Sequence, residues 1–189
     1  MKKHIQLTLV LGGMGHGKTT LVRGMRDKGI RAVMDTDECR VAPIEERRKK
    51  LIRKAVAAKG DEIPRRWRDH NEQWFAQVWG GIGLFTQTYD AEHITVSDHG
   101  GWFILETPDV DVNMLVRRVV ALIVPLDVAQ KRVAERGGSP EDEKLVEVSW
   151  TSYQRVIDMW RDKGYHVTRI DGRDEPSVVR DEVIRAIQL

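Results

Sequence analysis

The sequence predicts an α/β fold, a parallel β-sheet covered by helices on both faces. Three observations carry that expectation. Short apolar runs alternate along the chain with longer stretches of helical periodicity. The apolar runs lack the strict apolar–polar alternation of a half-exposed sheet, so their strands are expected to be buried on both sides. Gly29 and Gly164 stand between a helix and the following strand, where a helix C-terminus calls for a positive φ.

Taken in order, a strand is expected at 4–11, a helix at 18–28 and a strand at 30–35. A long polar helical stretch follows at about 43–80. Next come strands at 93–97 and 119–124, helices at 126–136 and 140–163, a strand at 165–170 and a closing helix at 176–187. Pro176, behind Asp174 and Glu175, is placed to open the last helix, in which Val179, Val183 and Ile187 recur at helical spacing. A chain of 189 residues suits one domain, 1–189, with an inserted lid at 43–90.

Composition narrows the function classes. The 31 basic and 29 acidic residues leave a formal charge of +2, so the net field does not by itself select a nucleic acid. The lone Cys39 has no intrachain partner for a disulfide. No leader-like apolar region and no membrane-length apolar run is present. The expectation is a soluble, cytoplasmic protein with no membrane partner.

The sharpest signal is Gly12-Gly13-Met14-Gly15-His16-Gly17-Lys18-Thr19, which fits G-x-x-x-x-G-K-[ST] between a strand and an amphipathic helix. Glycines let successive backbone N–H groups converge on phosphate oxygens, and the helix N-terminus aims its partial positive charge at the same point. Lys18 is expected to bridge the β- and γ-phosphates of ATP, Thr19 to ligate Mg²⁺ and Thr20 to touch the α-phosphate. His16 is expected to be a solvent-facing spacer.

Three weaker signals follow. Val33-Met34-Asp35-Thr36-Asp37-Glu38-Cys39-Arg40 is a strand ending in acids and then an arginine. Strand carboxyl ends border the ligand crevice of such sheets, so Asp35, Asp37 and Arg40 should face the transferred phosphate or its acceptor, with Asp37 the favoured general base. In Ile94-Thr95-Val96-Ser97-Asp98-His99-Gly100-Gly101, Asp98 is the candidate to hold a Mg²⁺ water beside Thr19, against a turn-forming role, and His99 is a candidate acceptor contact. Arg132 and Arg136 share a helix face before Gly137-Gly138, and are candidates to clamp the γ-phosphate. No NKxD-type base-reading motif is present, which speaks against a switch GTPase. A non-kinase P-loop NTPase, acting as a switch or assembly subunit, remains a remote alternative.

In their order these motifs, GxxxxGKT, the DxxR of Asp37 to Arg40, the Ser-Asp after Val96 and the RxxxRG of Arg132 to Gly137, resemble the 5′-hydroxyl polynucleotide kinase group of P-loop phosphotransferases. The resemblance implies a three-layer P-loop kinase fold of strand order 2-3-1-4-5. It implies Asp37 as base, Arg40 on the acceptor-side phosphate, and Arg132 and Arg136 as lid arginines. Asp35-Thr36-Asp37 with the glycine-rich loop and Gly100-Gly101 is also similar to shikimate kinases, and Ser152-Tyr153-Gln154 through Gly172 to thymidylate kinases.

The insert is expected to choose the acceptor. Residues 45–79 hold ten basic residues and three tryptophans, Trp67, Trp74 and Trp79. That mixture suits a DNA channel with stacking planes, although Trp67, Trp74, Phe75 and Val78 also recur at core-forming helical spacing. Bacteriophage kinases that phosphorylate 5-hydroxymethyluracil in DNA resemble this chain in size and organisation. The preferred expectation is therefore a DNA base kinase, with Trp67 among its acceptor contacts. The alternatives are a 5′-end kinase or a small-molecule kinase of nucleoside monophosphate or shikimate type.

Overall fold

The computed structural model describes residues 5–39, 63–105 and 115–188, with the backbone alone described at 63–73, 102 and 140–141. Five strands, β1 (Gln6–Leu11), β2 (Val33–Asp35), β3 (His93–Asp98), β4 (Val116–Ile123) and β5 (Val167–Asp171), form one sheet. Its order is β2-β3-β1-β4-β5 and every neighbouring pair is parallel. Among the described residues six helices accompany it: α1 (Lys18–Asp27), α2 (Ile63–Tyr89), the short α3 (Trp102–Leu105), α4 (Leu126–Glu135), α5 (Pro140–Asp162) and α6 (Pro176–Gln188). A 3₁₀ turn, Thr36–Cys39, follows β2 directly. The α/β class and the strand order agree with expectation.

Side chains of β1 leave on alternate faces, as a strand requires. Leu7, Leu9 and Leu11 join a core formed with Phe75, Val78 and Ile82 of α2, Phe103 of α3, and Tyr153, Val156, Ile157 and Trp160 of α5. Val10 faces the other way, onto Leu21, Val22 and Met25 of α1 and Val179 and Val183 of α6. Two-sided burial is thus the reason the strands read as unbroken apolar runs. A third, smaller cluster seats α4 on α5 through Ala129, Val133 and Val146.

Helix α5 starts where its local chemistry says it should. Ser139 Oγ accepts from the Asp142 amide, the Asp142 carboxylate accepts from the Ser139 amide at 2.8 Å, and Pro140 fills the first turn.

Apart from α2, the expected strands and helices begin and end within three residues of the observed ones. Helix α2 runs to Tyr89, nine residues past the expected end at 80, straight through Gly80, Gly81 and Gly83. Burial of Val78 and Ile82 on the sheet outweighs the ~1 kcal/mol that each helical glycine costs relative to alanine. Gly81 packs closely, since a Cβ there would stand 2.6 Å from Cys39 Sγ and the turn or the helix would have to shift. The absent side chain lets α2 lie directly against the turn that carries Asp37. The expected helical stretch at 43–62 lies outside the described residues. Among the described residues, no helix is long and apolar enough to cross a membrane.

Candidate active site

Strand β1 delivers the glycine loop to the carboxyl edge of the sheet. The Gly12 amide donates to Asp98 O at 3.0 Å, and the chain then turns back on itself, with His16 N donating to Gly13 O, before entering α1. Gly15 and Gly17 both take positive φ, 80° and 87°. At Gly15 a Cβ would also meet Ala129 O at 2.6 Å, so only glycine lets the loop pass under α4. Lys18 Nζ donates to Gly12 O (2.7 Å) and Gly13 O (3.2 Å), tying the first residues of the loop to its cation.

His16 overturns its expected role as a solvent-facing spacer. It is 2% exposed, its Nδ1–H donates to Leu122 O at 2.9 Å, and its ring packs edge-on against Tyr153. Burial, and more weakly the charges of Lys18 and Arg132, lower its pKa to about 4. A neutral imidazole therefore braces the loop on β4.

The acids divide their roles by burial. Asp35 is buried, and its two oxygens accept from Thr19 Oγ1 at 3.0 Å and from the Asp37 amide at 3.1 Å. Burial, and next the neighbouring Asp37 charge, raise its carboxyl above the ordinary range. A buried acid crowded by a second acid and touching a hydroxyl is a donor set that fits a hard cation. Asp37, two residues on in the 3₁₀ turn, is exposed. That turn is pinned to α1 by a bidentate pair between Arg26 and Glu38, with distances of 2.7 and 2.6 Å.

Asp98, the candidate to hold a Mg²⁺ water beside Thr19, is buried at the end of β3. Its Oδ1 accepts from Thr36 Oγ1 at 2.6 Å, and its Oδ2 from the amides of Gly100 and Gly101. It ties the end of β3 to the turn after β2. Thr19 itself meets Asp35.

Arg132 and Arg136 line a cleft of about 200 Å³ with His16, Gly17, Thr20, Glu135, Gly172, Asp174 and Pro176. This puts them at the Thr20 end of the loop, between α4 and the β5–α6 turn. Arg40 lies outside the described residues, as does the side chain of Trp67. Trp74 and Trp79 pack against the core, Trp79 edge-to-face with Phe103.

One supporting element went unread in the sequence. Helix α5 sends Tyr153 Oη–H to Leu11 O, Trp150 Nε1–H to Val124 O and Trp160 Nε1–H to Gly100 O, each at 2.9 Å. Its Ser149 Oγ accepts from the Met14 amide at 3.0 Å and lies 3.5 Å from His99 Nδ1. The signal was present as the stripe Val146, Ser149, Tyr153, Val156, Trp160, but periodicity shows only which face is buried, not which polar tips find partners.

No protein-family model matches the sequence, and no curated protein matches it. Solved structures do resemble it. The deoxyadenosine kinase from M. mycoides with bound dATP aligns over 97% of this chain and 100% of its own, at 13% identity and a TM-score of 0.61. A gluconokinase from Sinorhizobium meliloti 1021 aligns over 99% and 94%, at 13% identity and a TM-score of 0.59. The shikimate kinase from Aquifex aeolicus aligns over 97% and 96%, at 14% identity and a TM-score of 0.52. The likeness is one of fold: the chain shares the three-layer P-loop architecture of these kinases.

Proposed function

We propose that this protein is a kinase that transfers the γ-phosphate of ATP to a hydroxyl of a small-molecule acceptor. The observation that carries the reading is the grouping of Lys18, the Thr19–Asp35 pair and the exposed Asp37 around one glycine loop. The loop amides and the N-terminus of α1 bind the phosphates, with the α-phosphate at Thr20, the β-phosphate near Lys18 and the γ-phosphate toward Met14. Lys18 neutralises charge that grows between the β- and γ-phosphates as the bond to the leaving oxygen breaks. The cleft beside Arg132 and Arg136 takes the nucleoside end. Thr19 and Asp35 would hold Mg²⁺, which when bound draws charge from the phosphate oxygens. Asp37 accepts the proton of the attacking hydroxyl, and Asp35 fixes the turn that presents it.

A small acceptor is favoured over DNA on two grounds. The solved kinases of like fold carry the names of small substrates: deoxyadenosine, gluconate and shikimate. In addition, Trp74 and Trp79, two of the planes expected to stack on bases, pack on the protein core.

The test is transfer of labelled γ-phosphate to a panel: deoxynucleosides, nucleoside monophosphates, shikimate, gluconate, 5′-hydroxyl DNA, and end-blocked DNA containing 5-hydroxymethyluracil. Lys18→Ala serves as the blank. The expected result is label in a small molecule, lost in Asp37→Asn while ATP still binds. Label confined to DNA would overturn the acceptor assignment. ATP hydrolysis with no acceptor labelled, unchanged in Asp37→Asn, would overturn the kinase.

A further inference from the structure

The bond between the Met14 amide and Ser149 Oγ joins two points 135 residues apart in sequence. Met14 belongs to the glycine loop, whose N–H groups are the phosphate-binding apparatus. An oxygen 3.0 Å from such an amide stands where a phosphate oxygen would stand. That oxygen is supplied by α5, which Tyr153, Trp150 and Trp160 fix to the ends of β1 and β4 and to the turn after β3. Ser149 is therefore held at the loop by three anchors besides its own bond. Among the described residues, its O–H has the long 3.5 Å contact with His99 Nδ1.

Resting on the nucleotide reading above, we propose that Ser149 is a residue specific for the terminal phosphate. Its hydroxyl occupies the Met14 amide in the free protein and, once a triphosphate is bound, donates to the γ-phosphate oxygen that takes its place. An amide has one hydrogen to give, so the phosphate and Ser149 Oγ exchange rather than share it. The released hydroxyl is then both a free donor and within reach of the incoming anion, and a hydrogen bond to an ionised oxygen is stronger than the neutral bond it replaces. ADP, ending at the β-phosphate near Lys18, leaves the Met14–Ser149 bond intact. Ser149 thus separates a triphosphate from a diphosphate, which a kinase must do to release product and reload.

The experiment is calorimetric binding of Mg²⁺-ADP and of the Mg²⁺ complex of a β,γ-imido ATP analogue to wild type, Ser149→Ala and Ser149→Thr. The ratio of the two dissociation constants is expected to shift about tenfold against the analogue in Ser149→Ala, the size of one charge-assisted hydrogen bond. Ser149→Thr, which keeps the hydroxyl, is expected to restore it. A merely structural serine would weaken both nucleotides by one factor and lower the melting temperature in parallel. That result, or an unchanged ratio in Ser149→Ala, would overturn the proposal. Failure of wild type to bind either nucleotide would instead sink the kinase reading on which the proposal rests.

Discussion

The phosphate loop and helix α2 are held to the same sheet by different forces. The loop is fixed by directed hydrogen bonds, one within it from Lys18 to Gly12 O and three to other elements, from His16 to Leu122 O, from Thr19 to Asp35 and from the Met14 amide to Ser149 Oγ. Helix α2 is held by burial of Phe75, Val78 and Ile82, which has little directional preference. The difference suits what each must do. Phosphate geometry tolerates errors of only a few tenths of an ångström, whereas an apolar seam fixes an element's position while leaving its outward residues open to change.

The sharpest way to separate the two is Asp35→Asn. Transfer is expected to fall by about 10²–10³-fold. Mg²⁺ should also cease to raise the melting temperature of the nucleotide complex. A variant that kept the Mg²⁺-dependent rise would assign the cation to another donor set.

Ile82→Ala should do the reverse. Removing a fully buried side chain from the α2 seam is expected to cost about 2–5 kcal/mol of unfolding free energy, while transfer per folded molecule stays near wild type. Denaturant melts paired with active-site titration would check both halves. A large loss of turnover without loss of stability would show that the seam also tunes the loop.

The imidazole under the loop gives the comparison a pH axis. The pKa of His16 in the folded chain is about 4, below its ordinary value of 6.5, so the unfolded chain binds the proton first as pH falls. The stability this residue contributes is complete above pH 6.5 and is lost as pH drops toward 4, by up to about 3 kcal/mol. Burial, and next the charge of Lys18, lower the pKa of His99 as well. His16→Gln should remove its share of the slope between pH 6.5 and 4.5. Melts of equal slope in the two proteins would show that His16 is not held neutral.

The smallest effect sits where α2 meets the turn that bears Asp37. Gly81→Ala places a methyl 2.6 Å from Cys39 Sγ and should displace the turn bearing Asp37, lowering turnover about threefold to tenfold. Gly83→Ala, where a Cβ meets nothing within 4 Å among the described residues, should stabilise by about 0.5–1 kcal/mol and leave turnover alone. Equal turnover in the two variants would remove α2 from the positioning of Asp37.

The strands of the sheet and the phosphate loop were legible in the chain because each rests on local signals: apolar runs, helical periodicity, and glycines flanking Lys18. The strand order came from the family resemblance of the motifs. The side-chain alliances at the carboxyl edge were not. Asp35 and Asp98 both end apolar strands, and nothing nearby in sequence tells that one meets Thr19 while the other meets Thr36 and two backbone amides. His16 looked exposed because loop residues usually are. Its burial depends on β4 offering Leu122 O and α5 offering Tyr153, more than 100 positions away.

What the sequence by itself determined was therefore the α/β framework and the presence of a phosphate-binding loop, since periodicity and glycine content act over neighbouring residues. Only the tertiary structure decided which acid faces Thr19, why α2 runs on through its glycines, and that Ser149 reaches the loop. A hydrogen bond is specific to a few tenths of an ångström, and that precision exists only after the sheet has brought the ends of separate strands together.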